Sequence, residues 1–591
     1  MNRKNLTAAV LAGLAGAAGL AGTAQAVNLN PDGLGQVLIY PFYTSNDGSQ
    51  TILSVVNTTN QAKAVKVRFL EGYNSREVLD FNLYLSHHDV WVAAIADDAG
   101  TATLYIPDTS CTVPYLYGNG VADGGTMGEQ EFLPYAYTGD YDDGGPTDIA
   151  RASQGHFEMI EMGHLTNDSY RAAVPDGLPE RVGSAEAATH VVAEDGSSVP
   201  LDCDQLVRNW TEYDSGTKED PMDGMWAEQA AASGDDQAWT DTTRNSGGLF
   251  GGAAVVNVAN GTMFSYDAKA VQGFDKTDDG MHATPGTQYP SLDSGNQTTA
   301  TVFFGTPNNQ AVNLFYPRGV EAVSAVFMHN HVMNEFTIEE DLFAQTDWVL
   351  TFPTKPFYVD SDIVGTTTTY IPDVNDEIGC NGWKPGDWHP PGDKNGVIDP
   401  EAWPEWATCD YVKVTFGNVI PPFTDSFDGT ACETVFLSDW DREENARVPG
   451  TPGSTPPIVS PPPPGPPTPG AAPAFQLCYE TNILRFGADA STLPVFESDL
   501  LATVSGTADN GWVSIDMSLM VDDDDDRYPL ELHQDSQGLV GLPVTGFAAQ
   551  EFENEFLTGG VIAHYGGLFS HKSSVKRIMP DFCYHYPNNC D

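Results

Sequence analysis

Apolar and polar residues alternate in short runs over the first part of the chain. Val65, Val67 and Phe69 alternate with Lys66 and Arg68. A period of two places the two groups on opposite faces of a strand and is typical of an antiparallel sheet with one dry face. The same pattern predicts five strands in this region: Ile52–Asn57, Ala64–Leu70, Val78–Leu85, Val90–Ile95 and Thr101–Ile106.

The spacing of these runs indicates the fold class. Turn residues separate them at roughly the 8–12-residue intervals that are typical of β-sandwiches. We therefore predict an all-β protein of tandem immunoglobulin-like antiparallel β-sandwich domains, with disulfide-closed insertions and a Pro-rich loop.

Three short motifs, and a fourth with a looser match at Asp89 and Asp347, occur twice in the same order. The pairs are Val55-Val56-Asn57 and Val255-Val256-Asn257, Ala62–Val65 and Ala268–Val271, Asp89–Val92 and Asp347–Val349, and Tyr105–Asp108 and Tyr370–Asp373. A cysteine follows the last motif in each copy, at Cys111 and Cys380. The shared order predicts a duplicated β domain, and Asn260-Gly261 predicts a type I′ turn in the first hairpin of the second copy.

These features predict the following division of the chain. Residues 1–26 form a signal peptide, 27–111 sandwich copy 1, 112–249 a Gly/Asp/Tyr-rich insertion with a short helix at Cys203–Trp210, 250–379 sandwich copy 2, 380–409 a Trp/Asp-rich disulfide loop, and 410–591 a C-terminal β region with a Pro-rich loop at 449–473.

The N-terminus has the pattern of a secretory signal. Arg3 and Lys4 precede an Ala/Leu/Gly stretch, and Ala24-Gln25-Ala26 is a small-x-small cleavage site, so the mature chain should begin at Val27. We find no later stretch with the roughly 18 apolar residues of a membrane helix. We therefore expect export to the cell surface or the extracellular space, with the periplasm as the alternative.

The composition restricts the partners. The chain has 82 acidic and 26 basic residues and a net charge of −56. Nucleic-acid binding needs Lys and Arg to neutralise phosphates, so this balance argues against nucleic acid and against anionic membranes. It suits divalent cations, cationic partners or a solvated acidic surface.

The eight cysteines all follow the predicted cleavage site. An even count in an exported chain favours disulfides, and the absence of Cys-x-x-Cys argues against zinc and thioredoxin-like chemistry. Sequential pairing predicts the bridges Cys111–Cys203, Cys380–Cys409, Cys432–Cys478 and Cys583–Cys590.

Several segments resemble a group of β-rich exported proteobacterial proteins of unknown activity. They are the runs 35–44, 54–59, 67–72 and 77–86, together with 346–355. The resemblance implies export from a Gram-negative cell, and it implies no activity and no site residues.

Common catalytic motifs are absent from the sequence. It contains no Gly-x-Ser-x-Gly, no His-Glu-x-x-His and no Gly-rich phosphate-binding or dinucleotide motif. Glycosidase carboxylate pairs leave no short motif, so this class is not excluded.

The predicted loop 380–409 contains the best candidate for cation binding. Oxygen ligands at alternate positions with a Gly at the bend are what Ca²⁺ needs, and these would be Asp393, Asn395, Asp399 and Glu401. The loop departs from the full calcium pattern, because Pro391 and Ala402 occupy the first and twelfth positions. A plain Asp/Asn/Gly turn is the alternative.

The same loop contains four tryptophans, Trp383, Trp388, Trp403 and Trp406. Their rings could stack on sugars or could form the loop's own small core. Weaker cation or metal candidates are Asp140, Asp142, Asp143 and Asp148, the run Asp522–Asp526, the set His156, Glu158 and His164, and the pair His329 and His331. Solvated turns and hydrogen-bonded histidines are the alternatives for these sets.

The sequence as a whole favours an exported, non-catalytic structural protein of the cell surface, extracellular matrix or adhesion type, stabilised by calcium. The alternative is a secreted glycan-binding protein or glycoside-active enzyme that uses the Trp-rich loop 383–406.

Overall fold

The computed structural model describes residues 26–116, 128–167, 182–194, 196–210, 226–227, 242–276, 280–305, 310–339, 343–372, 411–443, 474–487, 494–504, 509–518, 530–531, 538–557 and 561–578. Strands account for most of its regular structure, as the alternation predicts. No helix within these ranges has the length and apolar character to cross a membrane.

The regular elements are short. The strands up to residue 165 are β1 (Asn28–Leu29), β2 (Val37–Thr44), β3 (Ser49–Asn57), β4 (Lys63–Glu71), β5 (Glu77–Leu85), β6 (Val90–Asp98), β7 (Thr101–Ile106), β8 (Cys111–Val113), β9 (Gly128–Glu131) and β10 (Gln154–Leu165). Those up to residue 372 are β11 (His190–Val192), β12 (Ser198–Pro200), β13 (Thr242–Thr243), β14 (Leu249–Asn257), β15 (Thr262–Asp267), β16 (Lys269–Gln272), β17 (Thr299–Phe304), β18 (Gln310–Phe315), β19 (Met328–His329), β20 (His331–Thr337), β21 (Ala344–Thr351) and β22 (Thr366–Pro372). The rest are β23 (Tyr411–Gly417), β24 (Glu433–Asp441), β25 (Ala474–Leu477), β26 (Thr481–Phe486), β27 (Leu501–Val504), β28 (Asn510–Asp516), β29 (Leu530–Glu531), β30 (Gly538–Val540), β31 (Leu542–Pro543), β32 (Thr545–Leu557), β33 (Val561–Ser570), β34 (Lys572–Ser574) and β35 (Lys576–Ile578). The α-helices are α1 (Ser184–Ala187), α2 (Cys203–Arg208), α3 (Gly319–Phe327), α4 (Pro356–Val359) and α5 (Ser361–Val364).

Four larger sheets organise the fold. Sheet I has the order β1-β16-β2-β10-β4-β5-β8, with β13 also paired to β10, and sheet II has the order β15-β14-β3-β6-β7-β9. Sheet III has the order β25-β24-β28-β20-β34, and sheet IV has the order β27-β26-β21-β32-β33. Within these four sheets the described strands pair antiparallel, except β26 with β27.

Sheets I and II enclose one apolar core. Val65, Val67 and Phe69 of β4 face it, together with Leu53 of β3 and Trp91 of β6. The five strands predicted for residues 52–106 are confirmed, with ends that differ by a few residues at most. The mainly β, antiparallel fold class is therefore confirmed, whereas its immunoglobulin-like details stay a prediction.

The second face of sheet I differs from the expectation of one dry face. Every residue of β4 is buried, including Lys66 and Arg68. Residues 280–286 cover this face, since Asn82 donates to the carbonyl of Ala283 at 2.8 Å and Asp80 accepts from the N–H of Gly286 at 3.0 Å. The alternation therefore identified the strands correctly, but the polar side of sheet I is not solvated.

Two of the four repeated motif pairs lie in the same sheets. Strands β3 and β14, which carry Val55-Val56-Asn57 and Val255-Val256-Asn257, are antiparallel neighbours in sheet II. The motif after each strand enters sheet I, in β4 and in β16. A division at residue 250 would thus separate strands that pair, because residues 249–272 complete sheets I and II.

The hairpin between β14 and β15 is present, but its predicted turn type is wrong. Asn257 pairs with Thr262, which leaves a four-residue loop where a type I′ turn needs two residues. Within this loop Gly261 has a positive φ of 72°, while Asn260 does not. The amide of Asn260 instead donates to the side chain of Asn257 at 3.0 Å.

Sheets III and IV share a second core. Phe336 of β20 stacks on Phe486 of β26 with ring centroids 5.1 Å apart, and Trp348 of β21 lies 5.0 Å from the same ring. The opposite face of sheet IV contributes Val349 and Phe547 to the core of sheets I and II. Sheet IV is therefore packed on both sides and joins the two halves of the chain.

Two predicted disulfides are confirmed. Cys111 is bonded to Cys203, which anchors the predicted helix α2, and Cys432 is bonded to Cys478. The predicted bridges Cys380–Cys409 and Cys583–Cys590 lie outside the described residues, as do the signal peptide up to residue 25 and the Pro-rich loop. Val27, the predicted first residue of the mature chain, is buried and donates its N–H to Thr299 at 2.8 Å.

Candidate functional site

A cleft lies where sheet I meets the segment 353–363 that follows β21. It encloses about 310 Å³. Its charged lining residues are Arg68, Arg76, Glu77, Glu158, Asp360 and Asp362, and we call it the arginine cleft. Four carboxylates surround two guanidinium groups there, so its potential favours cations over anions.

A buried ion pair behind the cleft fixes the loop between β4 and β5. The carboxylate of Glu71 accepts from the backbone N–H groups of Tyr73, Asn74 and Arg76 at 2.7–3.0 Å. Arg151 donates to Glu71 at 2.9 Å from a fully buried position. Because the loop's backbone amides and a cation converge on one carboxylate, Arg76 is presented in a defined orientation.

Asp143 completes this buried group. Arg151 holds its two carboxylate oxygens in a bidentate pair at 2.8 and 2.7 Å. Burial alone would raise the pKa of Asp143, but the bonds from Arg151 hold that pKa below its usual value. The ring of Tyr137 lies 4.6 Å from the Arg151 guanidinium and adds a cation–π contact.

Arg76 joins sheet I to the second half of the chain. Its Nη2 lies 2.8 Å from Asp362 and 3.3 Å from Asp360. Asn74 also donates to Asp360 at 3.0 Å. Burial raises the pKa of Asp360, although Arg76 opposes that rise. These bonds attach α4 and α5 to the loop after β4, so the cleft forms only when both halves are folded.

Arg68 forms ion pairs with the other two carboxylates of the cleft. It donates to Glu77 at 2.6 Å and to Glu158 at 2.5 Å. Burial raises the pKa of both carboxyl groups, and the charge of Arg68 opposes the rise. Each carboxylate is thus engaged by a guanidinium, which leaves neither Glu77 nor Glu158 as an unpaired base or nucleophile.

The histidines of β10 do not form the predicted metal set. His156 is fully buried, its two ring nitrogens have no hydrogen-bond partner among the described residues, and burial lowers its pKa to about 3. Glu158 is held by Arg68, while His164 lies 2.5 Å from Ser246 and 3.4 Å from Glu161. Of the predicted pair His329 and His331, His331 faces Asp516 at 3.4 Å.

The described residues contain no group of three His, Cys, Asp or Glu side chains placed to hold a metal ion. Asp142 accepts from Gly144, Asp143 binds Arg151, and Asp148 caps the turn Ile149–Ser153 through Ala150. The side chain of Asp140 and the run 522–526 lie outside the described residues.

The calcium and glycan predictions concern residues outside the described ranges. Asp393, Asn395, Asp399 and Glu401 and the four tryptophans Trp383, Trp388, Trp403 and Trp406 all lie between residues 373 and 410. Both predictions therefore remain predictions.

A second candidate surface is the outer face of sheet II, which the sequence analysis did not identify. Apolar side chains at its centre are exposed by 36–59%: Ile52, Val90, Val92, Phe250 and Met263. The strand register makes them neighbours, since Val56 lies between Val90 and Phe250, and Ile52 lies between Ala94 and Ala254. Asp98, Glu129, Glu131 and Asp267 lie at the edges of the same face and are exposed.

No family model, no curated protein and no solved structure matches this chain.

Proposed function

We propose that the chain is an exported, non-catalytic structural protein of the cell surface or extracellular matrix, and that it assembles with a second copy of itself through the outer face of sheet II. The observation that carries the proposal is the apolar centre of this exposed face on a chain with a net charge of −56. Monomeric soluble proteins rarely expose contiguous apolar patches of more than a few hundred Å².

The dimensions of the face suit a protein interface. The six strands lie about 4.8 Å apart; β14, β3 and β6 have nine residues of about 3.3 Å each, and β15, β7 and β9 have four to six, so the face covers roughly 700 Å². A standard interface buries about 800 Å² on each partner. A flat sheet face can also pack on its own copy about a two-fold axis, which most soluble homo-oligomers use.

The arginine cleft supports the non-catalytic part of the proposal. Both of its guanidinium groups are paired with carboxylates, so the charges stabilise the fold. The two disulfides support export, because such bonds persist in oxidising compartments.

The acidic edges of the face make a specific prediction about salt. In a dimer the edge carboxylates of both copies approach one another and repel, and salt screens this repulsion. Sedimentation velocity of the full mature chain should therefore show more dimer at high than at low ionic strength.

Val92→Lys should abolish the dimer, because two lysines would be buried in the apolar centre without partners. Val192→Lys is the matched control, since Val192 is 79% exposed on the separate β11–β12 hairpin. A native chain that stays monomeric at high salt, or equal association of the two variants, would contradict the proposal.

A further inference from the structure

A second cavity of about 250 Å³ lies where the edge of sheet I meets sheets III and IV. We call it the lysine cavity. Its polar side chains are Lys269, His329, Thr545, Ser570, His571 and Ser573. Its apolar wall is formed by Leu29, Phe327, Val332 and Val544. Ser570 and Ser573 are exposed, so the cavity opens to solvent on their side.

Lys269 is the only lining residue with a permanent side-chain charge. Its ammonium group has no hydrogen-bond or ion-pair partner among the described residues, and Asp267 acts on it only through the longer-range field. Burial lowers the pKa of Lys269. An unpaired, half-buried ammonium group is costly, and an anion in the cavity would neutralise it.

Two further polar atoms of the lining lack partners. The Nδ1 atom of His329 and the Oγ1 atom of Thr545 are buried without a hydrogen bond to any described residue. Buried polar groups are ordinarily hydrogen-bonded, so unpaired atoms in two residues that line the same cavity need an explanation. A bound anion would accept from the hydroxyl of Thr545. Burial and the charge of Lys269 lower the pKa of His329 to about 4, and its N–H donates to the backbone of Ser574, so its Nδ1 is an acceptor and forms part of the wall.

His571 is also oriented by bonds to the protein. Its Nε2–H donates to the carbonyl of Val349 at 3.0 Å, and Asn334 lies 3.3 Å from its Nδ1. Burial lowers its pKa to about 4, so the ring is neutral at physiological pH. His571 therefore forms part of the wall, while the donors left for a ligand are those of Lys269 and Thr545.

The lysine cavity and the arginine cleft have opposite electrostatics. The cavity lining contains no Asp or Glu, whereas the cleft has four carboxylates. A carboxylate-free pocket around a lysine selects anions in a chain with a net charge of −56. Its volume lies below the roughly 300 Å³ at which pockets for drug-sized ligands begin, so the anion is small.

We propose that the lysine cavity binds a small organic carboxylate, with the carboxylate on Lys269 and Thr545 and a short aliphatic tail against Phe327, Val332 and Val544. The site rests on different residues from the assembly face, so each proposal can fail without the other.

Isothermal titration calorimetry of the full mature chain with hexanoate tests this site. Hexanoate should bind with a stoichiometry of one, hexylammonium should not bind, and hexanol should bind at least about tenfold more weakly because it lacks the charge. Lys269→Met keeps the length of the side chain and should weaken hexanoate binding at least about tenfold. Lys276→Met is the control, since Lys276 is exposed and does not line the cavity.

Thr545→Val is a second variant, which tests the site even if Lys269→Met does not fold. It preserves the shape of the side chain and removes a hydroxyl without a partner among the described residues, so it should not lower the melting temperature. It should weaken hexanoate binding by about threefold to tenfold. Absence of saturable hexanoate binding, equal affinity for hexanoate and hexanol, or unchanged binding in both Lys269→Met and Thr545→Val would overturn the proposal.

Discussion

Sheets I and II share one core, but their other faces are opposite in character. Sheet I buries its second face, which carries Lys66, Arg68, His156 and Glu158. Sheet II exposes its second face, where Val92 and Phe250 are exposed by 36% and 43%. The charged face of sheet I is thus buried, and the apolar face of sheet II is exposed to solvent.

This contrast shows that the alternation of residues along a strand does not by itself determine which face is buried. Alternation specifies that a strand has two different faces, but the layers around the sheet decide which face meets water. Charges inside sheet I require paired partners, and apolar groups outside sheet II imply a partner surface.

Arg151→Met should cause the largest loss of stability. It leaves Glu71 and Asp143 buried without their cation, and breaking a buried pair typically costs about 3–5 kcal/mol. Urea unfolding should show this loss. Arg442→Met is the control, because Arg442 is 65% exposed and 3.7 Å from Glu339, and it should cost less than about 1 kcal/mol. Similar losses in the two variants would show that the buried charges are not structurally required.

Leu53→Ala and Ile52→Ala compare the two faces of sheet II within one strand. Leu53 is 1% exposed in the core, and removing its side chain should cost about 2–4 kcal/mol. Ile52 is 46% exposed, so its truncation should lower the unfolding free energy of the monomer by less than about 1 kcal/mol. Thermal unfolding at low protein concentration and low salt separates this effect from assembly. A large loss for Ile52→Ala would mean that the outer face is packed within the monomer.

The strands could be predicted from the sequence because alternation is a local signal. Two disulfides could be predicted because their cysteines pair in the order in which they occur along the chain. Strands β3 to β7 follow the alternation, and Cys111–Cys203 and Cys432–Cys478 follow sequential pairing. The motif pair at 55–57 and 255–257 also has a structural counterpart, but as neighbouring strands of one sheet.

The arginine cleft and the lysine cavity could not be predicted in this way. Arg76 meets Asp360 across 284 positions, and Lys269 shares its cavity with His571 and Thr545. Such contacts depend on how sheets I, III and IV pack, which no spacing in the sequence encodes. The predicted set of His156, Glu158 and His164 failed for the same reason, because Arg68 of β4 holds Glu158, and Ser246, in the loop before β14, contacts His164.

His156→Leu should give the smallest effect, visible only as a change with pH. Burial lowers the pKa of His156 from 6.5 to about 3, so the folded state resists a proton that the unfolded state accepts. The unfolding free energy of the native chain is therefore unaffected by protonation of His156 above pH 6.5. It decreases as the pH falls from 6.5 towards 3, because the unfolded state alone binds the proton. At pH 5 the loss is about 2 kcal/mol, from about 1.4 kcal/mol for each pH unit.

The measurement is the difference in unfolding free energy between His156→Leu and the native chain at pH 8 and at pH 5. The variant should gain about 2 kcal/mol relative to the native chain between these values, because leucine takes no proton in either state. Glu77 and Glu158, whose pKa values burial raises, titrate in both proteins and largely cancel in this difference. His87→Leu is the control at an exposed histidine and should show no such gain. An equal difference at both pH values would mean that water or an acceptor reaches His156, and that the second face of sheet I is less dry than its packing indicates.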